Sequence, residues 1–248
     1  MYLYIYDSFL NDKKYTDSLI KIEKRITDLG IKGKIARLSV LKNMKELITD
    51  GVKEGVHTVV AIGNAQTFAK VINIVADLDV TLGMIPVDNN NPIARVLGIP
   101  PKTLACEVLA SRIIKKIDLG KINNHYFINT AEIENGDVVI EYDDFKVEPT
   151  TNEHNIILYN FASEGNIFNS SPVDGILEAV ITPIRSTLFG KKKISGTVLP
   201  FTKIKINSNQ EEQIAILTDQ QIIMKTPAEI SVSPQKLKII VGSERDFD

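Results

Sequence analysis

Apolar positions in the first half of the chain fall into two alternating periods. Short β-branched runs occupy 2–6, 34–39, 57–62 and 81–86, the pattern of strands. Between them the spacing is helical. Leu19, Ile22, Ile26 and Leu29 recur at intervals of 3, 4 and 3, and Gly30 stands where a left-handed turn would end that helix. A second helix fits 42–53, with Met44, Leu47 and Ile48, and a third places Phe68, Val71, Ile72 and Val75 on one face. Strands alternating with helices of this length predict βαβ units and a mostly parallel sheet. Ligands of such sheets bind beyond the carboxyl ends of the strands, which directs attention to the loops after Ile62 and Pro86.

After about residue 120 the helical period fades. Asn123-Asn124 and Asn135-Gly136 are turn pairs, and the second predicts a hairpin. Short strands are expected at 155–159, 176–182, 201–207, 213–217 and 237–241. The fold class expected is therefore α/β in two domains. Residues 1–120 form a Rossmann-like, parallel-sheet, nucleotide-binding-like domain, and 121–248 a mainly antiparallel β domain whose last strand can return to the first.

Composition narrows the function. Lys plus Arg number 29 against 31 Asp plus Glu, a net charge of −2, which argues against a protein built to neutralise nucleic-acid phosphates. An apolar fraction of 44% allows a sizeable core and excludes disorder for most of the chain. A single cysteine, Cys106, excludes a disulfide framework, and its apolar neighbours make it a buried small hydrophobe. His57, His125 and His154 lack metal-ligand spacing, and His57, opening an apolar strand, reads as structural. The first residues lack a signal-peptide pattern and no window reaches 18 apolar residues, so a cytoplasmic location is expected.

Two loops carry the candidate chemistry. Val59-Val60-Ala61-Ile62-Gly63-Asn64-Ala65-Gln66-Thr67-Phe68 runs from strand through turn to helix, and such a turn can offer backbone N–H groups to phosphate. The stretch from Ile85-Pro86-Val87-Asp88 through Asn89-Asn90-Asn91-Pro92 to Leu97-Gly98-Ile99-Pro100 repeats that design. In this order they resemble the diacylglycerol kinase catalytic-domain family of bacterial lipid kinases, related to sphingosine and NAD kinases. Gly63-Asn64-Ala65-Gln66-Thr67 stands for the family's GGDGT, followed by the apolar-plus-Asn run Val71-Ile72-Asn73. Pro86, Asn91, Ala94, Arg95, Leu97, Gly98, Ile99 and Pro100 agree with its P-L-G-T-G-N-D-F-A-R-x-L-G-I-P. Ile117-Asp118-Leu119-Gly120 looks like the strand leading to its second domain. Val173-Asp174-Gly175-Ile176-Leu177-Glu178 is similar to D-D-G-x-L-D, and Thr218-Asp219-Gln220-Gln221 to the region of its D-G-E motif.

The resemblance implies an ATP- and Mg²⁺-dependent lipid kinase, with departures at the working residues. Ala65 has no oxygen where the family's aspartate organises nucleotide and metal. Asn64 adds a side chain where glycine lets phosphate approach, and Asp88-Asn89-Asn90 replaces Gly-Thr-Gly. Asp88 would set a negative charge beside a polyphosphate. Gln221 stands at the general-base glutamate, and loss of such a base commonly costs about 10²–10⁴ in rate.

Gly63, Asn64, Thr67, Asn89, Asn91 and Arg95 are the candidate cofactor-binding residues. Thr67 fits a helix cap as well as a nucleotide contact, and Asn91 a turn as well as a ligand. Asp219 is the remaining candidate catalytic carboxylate, and Asp174, equally a turn residue, the candidate metal ligand.

Two functions follow. One is a catalytically impaired lipid-kinase-like protein, binding a nucleotide, a lipid or a partner in an inter-domain cleft and needing neither ATP nor Mg²⁺ for catalysis. The other is an active lipid kinase whose site is rebuilt on Asp88 or Asp219; an NAD-kinase-like enzyme fits the second motif less well. Leu188-Phe189-Gly190-Lys191-Lys192-Lys193 suits either a hairpin tip or a peripheral membrane contact. A homodimer is a further expectation.

Overall fold

The computed structural model describes residues 1–39, 43–134, 136–149, 153–161, 170–187, 190–193 and 196–247. It divides into two compact units, Met1–Ile117 with Lys236–Asp248, and Asp118–Gln235.

The first unit alternates β1 (Tyr2–Tyr6), α1 (Thr16–Asp28), β2 (Gly33–Arg37), α2 (Met44–Lys53), β3 (Thr58–Gly63), α3 (Ala65–Val75), β4 (Thr81–Pro86), α4 (Pro92–Val96) and α5 (Thr103–Ser111). Its strands run parallel in the order β2-β1-β3-β4. Every residue of β3 and β4 is buried, as expected for strands covered on both faces by helices. α1 buries Leu19, Ile22 and Ile26 and leaves Ile20 in solvent, so its apolar stripe is one-sided. Gly30, at φ +70°, ends it as the sequence predicts. α2 starts at Met44 because the Asn43 side chain accepts from Lys45 N at 2.8 Å. Cys106 is fully buried in α5, where burial pushes its thiol up to about 11.

From here the chain forms β5 (Ile114–Ile122), β6 (His125–Phe127), β7 (Thr130–Glu134), β8 (Val138–Tyr142), β9 (Phe145–Val147), β10 (His154–Tyr159), β11 (Leu177–Thr187), β12 (Gly190–Lys193), β13 (Thr197–Phe201), β14 (Lys203–Ser208), β15 (Ala215–Thr218), β16 (Ile222–Lys225) and β17 (Ala228–Ile240). In the second unit β10 pairs antiparallel with β7 and β11, and β7 with β15. β14 pairs antiparallel with β8 and with the start of β17. Ile133, Ile140, Ile156, Leu158, Leu177 and Ile206 meet in one buried core. The fold class is α/β with a parallel sheet first and antiparallel sheets after it.

Three expectations change. Asn135-Gly136 does not close a hairpin: β7 pairs with β10 and β15, while β8 pairs with β14 and β9. The two strands lie in different sheets, and Asn135 itself lies outside the described residues. The single strand expected at 201–207 is two, because the chain leaves β11 at Phe201 and joins β17 and β8 from Lys203. The strand expected at 237–241 is the end of the longer β17, where Lys238 and Ile239 pair parallel with Thr81 and Leu82 of β4. The 188–193 segment rests on Leu188 and Phe189, which lie outside the described residues. No helix among the described residues is long and apolar enough to cross a membrane.

Candidate functional site

Parallel register brings the ends of the central strands of the first unit level. Tyr6 faces Ile62, and Gly63 faces Pro86, so Asp7, Asn64 and Val87 leave the sheet side by side.

The first loop is organised by its own side chains. Asn64 caps α3: its Oδ1 accepts from Thr67 N at 3.0 Å, while Thr67 Oγ1 accepts from Asn64 N at 3.2 Å. This is a reciprocal capping box, with threonine in the place usually held by Glu or Gln. Thr67 is fully buried, and its hydroxyl donates to Asp7 Oδ2 at 2.7 Å. Gly63 belongs to the same device. A Cβ there would lie 2.2 Å from Thr67 Oγ1, so the glycine makes room for the threonine. Gly63, Asn64 and Thr67 are thus brought together as a helix cap, and Ala65 offers no oxygen beside them.

The second loop starts alike. Asn91 is buried and caps α4, its Oδ1 accepting from Ala94 N at 3.0 Å and its amide reaching Asp88 Oδ1 at 3.4 Å. Asn89, Asn90 and Arg95 stay exposed. They line a pocket of about 600 Å³ together with Leu104 and Val108 of α5 and with Ser243, Glu244 and Asp246. That C-terminal stretch is anchored by Gly242 N donating to Leu97 O at 2.9 Å and Asp246 N to Val96 O at 3.0 Å. Gly98, at φ +64°, and Gly242 permit the approach, since a Cβ on Gly242 would lie 1.8 Å from Gly98 O. The charged lining is Asp88, Glu107, Glu244 and Asp246 against Arg95, with Glu107 paired to Arg25. Sequence reading misses residues 243–246, which carry no motif and reach the loop only through the fold.

In the second unit, Asp219 and Gln220 form the tight turn between β15 and β16. Both have positive φ, +49° and +57°, and Gln221 N closes the turn on Thr218 O at 2.9 Å. The Asp219 side chain turns inward and is buried. Its Oδ2 accepts from Ile128 N at 2.9 Å, and its Oδ1 from Asn129 N at 2.7 Å and Thr130 N at 3.2 Å. Burial raises its carboxyl to about 6, against the lowering effect of those donors.

Asp174 is exposed, and its Oδ1 accepts from Ile176 N at 2.9 Å in an Asx turn around Gly175, φ +76°. Its carboxyl is raised by burial of its surroundings and then by the charge of Asp118. Asp118 is buried and accepts from Gly175 N at 2.7 Å and Gln235 N at 2.6 Å. Nearby Glu178, which closes the segment similar to D-D-G-x-L-D, is buried, accepts from Ser170 Oγ, and is pushed up to about 7 by burial and by Asp174. Among the described residues no group of three or more His, Cys, Asp or Glu is placed to hold a metal ion. Ala65 carries no side-chain oxygen, and both carboxylate oxygens of Asp219 accept from backbone N–H groups.

Comparison with known proteins follows the same segments. Residues 2–122 match the family profile described as diacylglycerol kinase catalytic domain. A diacylglycerol kinase of Bacillus subtilis (strain 168) is 40% identical over 77 residues, 29% of this chain and 25% of that protein. A diacylglycerol kinase of Staphylococcus aureus (strain JH9) is 30% identical over 122 residues, 48% of this chain and 38% of that protein. The matched stretches thus span between a quarter and two-fifths of those relatives. The fold extends further: the crystal structure of a diacylglycerol kinase from Bacillus anthracis str. Sterne superposes with a TM-score of 0.78 at 21% identity, covering 98% of this chain and 97% of that one.

Proposed function

The chain is a relative of the diacylglycerol kinases through its catalytic-domain segment, and from that premise we propose that it is a lipid-kinase-like protein without efficient phosphoryl transfer, working by binding a small molecule through the loop after β4. One observation carries the proposal. Beside Gln221, both oxygens of Asp219 are committed to three backbone N–H groups, so the turn corresponding to D-G-E holds the fold together. An amide in the base position would lower the rate by about 10²–10⁴. The missing oxygen at Ala65 compounds that loss, because phosphoryl transfer depends on positioned metal and charge. The exposed Asn89 and Asn90 amides and the apolar face of Leu104 leave the pocket after β4 suited to a partly polar ligand, a nucleoside or lipid headgroup among them.

Glu178 favours a second reading, an active kinase with a rebuilt site. A carboxyl titrating near 7 is suited to general-base work, and it lies in the segment resembling D-D-G-x-L-D. Phosphorylation of diacylglycerol in mixed vesicles with ATP and Mg²⁺ separates the two. The first reading expects no turnover above the protein-free rate. Robust turnover, abolished by Glu178→Gln, would establish the second.

A further inference from the structure

The pocket after β4 has an apolar part and an acidic part, and both are fixed in place. Lys102 N donates to Pro86 O at 2.7 Å, holding the start of α5 against the end of β4. That places Leu104 in the lining with 59% of its surface exposed. A large apolar side chain left open inside a concave site of about 600 Å³ suits a ligand with an apolar body. The acidic part comes from residues 243–246, pinned by Gly242 N on Leu97 O and Asp246 N on Val96 O, with Phe247 buried beyond them.

Among the described residues the lining carries Asp88, Glu107, Glu244 and Asp246 against the guanidinium of Arg95. Glu107 is paired with Arg25 at 2.5 Å, and Asp88 receives the Asn91 amide at 3.4 Å. Glu244 and Asp246 are exposed, and among the described residues no ion pair or side-chain hydrogen bond occupies their carboxylates. A concave site focuses such a charge excess, so it attracts an ammonium group and repels phosphate.

We propose that this pocket takes a small organic cation, an ammonium group on an apolar body, with Glu244 and Asp246 selecting the charge and Leu104 holding the body. The inference rests on the reading that the loop after β4 binds a small molecule, and narrows that ligand to one without a phosphate.

Three probes of similar shape separate charge from fit: phenethylamine, 2-phenylethanol and phenylacetate. Each is titrated at neutral pH into the whole chain, following the side-chain amides of Asn89 and Asn90 and the methyl groups of Leu104 by NMR. Saturable shifts are expected with phenethylamine, about ten-fold tighter than with 2-phenylethanol, and weaker binding still with phenylacetate. In the double variant Glu244→Gln/Asp246→Asn the amine should fall to the affinity of the alcohol, whose own binding stays unchanged. Leu104→Ser should weaken amine and alcohol alike. Should a variant fail to fold, raising salt to about 0.5 M makes the same comparison in the wild type, weakening the amine and sparing the alcohol. Equal binding of the three probes, tighter phenylacetate, or an amine affinity indifferent to the double variant would overturn the proposal while leaving a pocket that binds small molecules. No shift with any probe would overturn both the proposal and the binding part of that reading. Turnover of diacylglycerol would contradict impaired transfer alone, so the two fail separately.

Discussion

The loops after β3 and β4 leave the same sheet edge and cap their helices with the same residue type, Asn64 in one and Asn91 in the other. Beyond the cap they diverge. Around α3 the threonine turns inward, Thr67 being fully buried and bonded to Asn64 and to Asp7, while Gln66 alone of that turn is exposed. Around α4 the cap is likewise buried, but Asn89, Asn90 and Arg95 stay in solvent and border a pocket. The difference separates two reasons for keeping a residue type. Thr67 and Asn91 are both accounted for by helix capping, so their retention says little about nucleotide. The proposed binding rests on the second loop, where the side chains around the cap are left without structural work.

Substitutions can break this comparison at several strengths. The largest effect is expected away from both loops, as a measure of full structural commitment. Asp219→Ala would leave three backbone N–H groups without their acceptor and should lower unfolding free energy by about 3 kcal/mol or more in urea titrations. A loss below about 1 kcal/mol would return Asp219 to the list of functional carboxylates. Gly63→Ala is next. Its new Cβ must displace Thr67, and a cost of about 1–3 kcal/mol is expected by the same measurement. Asn64→Ala and Asn91→Ala should each cost about 1 kcal/mol as lost caps. If only the first does so, Asn91 is held for something other than α4.

Proton linkage gives a smaller and distinct signature. Asp219 and Glu178 are raised to about 6 and about 7 from ordinary values of 3.8 and 4.5. Between those limits the folded chain holds protons that the unfolded chain has released. Their contribution is therefore fully present at low pH, below the ordinary values, and is lost as pH rises toward 7. Glu178→Gln should remove the part of the fall between pH 6 and 7, about 1 kcal/mol or less, seen in urea midpoints across that range. An unchanged pH profile would show that Glu178 titrates like an ordinary carboxyl and would weaken the case for it as a base. The smallest effect is a gain. Gln220 sits at φ +57° without a glycine's freedom, and Gln220→Gly should stabilise by about 0.5–1 kcal/mol in thermal unfolding.

What the sequence reveals follows contact range. β1, β4 and the apolar faces of α1 and α3 are legible because their periods are local and their residues uniformly buried. The hairpin expected at Asn135-Gly136 fails because turn chemistry does not say that β7 and β8 enter different sheets. At the site the same limit applies more sharply. Thr67 could be read as a cap, but not its bond to Asp7, 60 residues earlier. Asp219 keeps its family identity in the motif, while the three amides that claim it lie about 90 residues upstream. Glu178 carries no signal beyond its place in a segment, because a raised carboxyl reflects burial and the neighbouring Asp174, which only the fold supplies.

The most direct test of the central claim, that the retained motif residues serve the fold and no longer a metal–nucleotide, is calorimetric titration of the purified chain with ATP in the presence and absence of Mg²⁺. Weak binding or none is expected, with the same affinity in both conditions, since any contact would come from the exposed amides after β4. Saturable micromolar binding that requires Mg²⁺ would contradict that claim, because the retained motif residues would then be holding a metal–nucleotide.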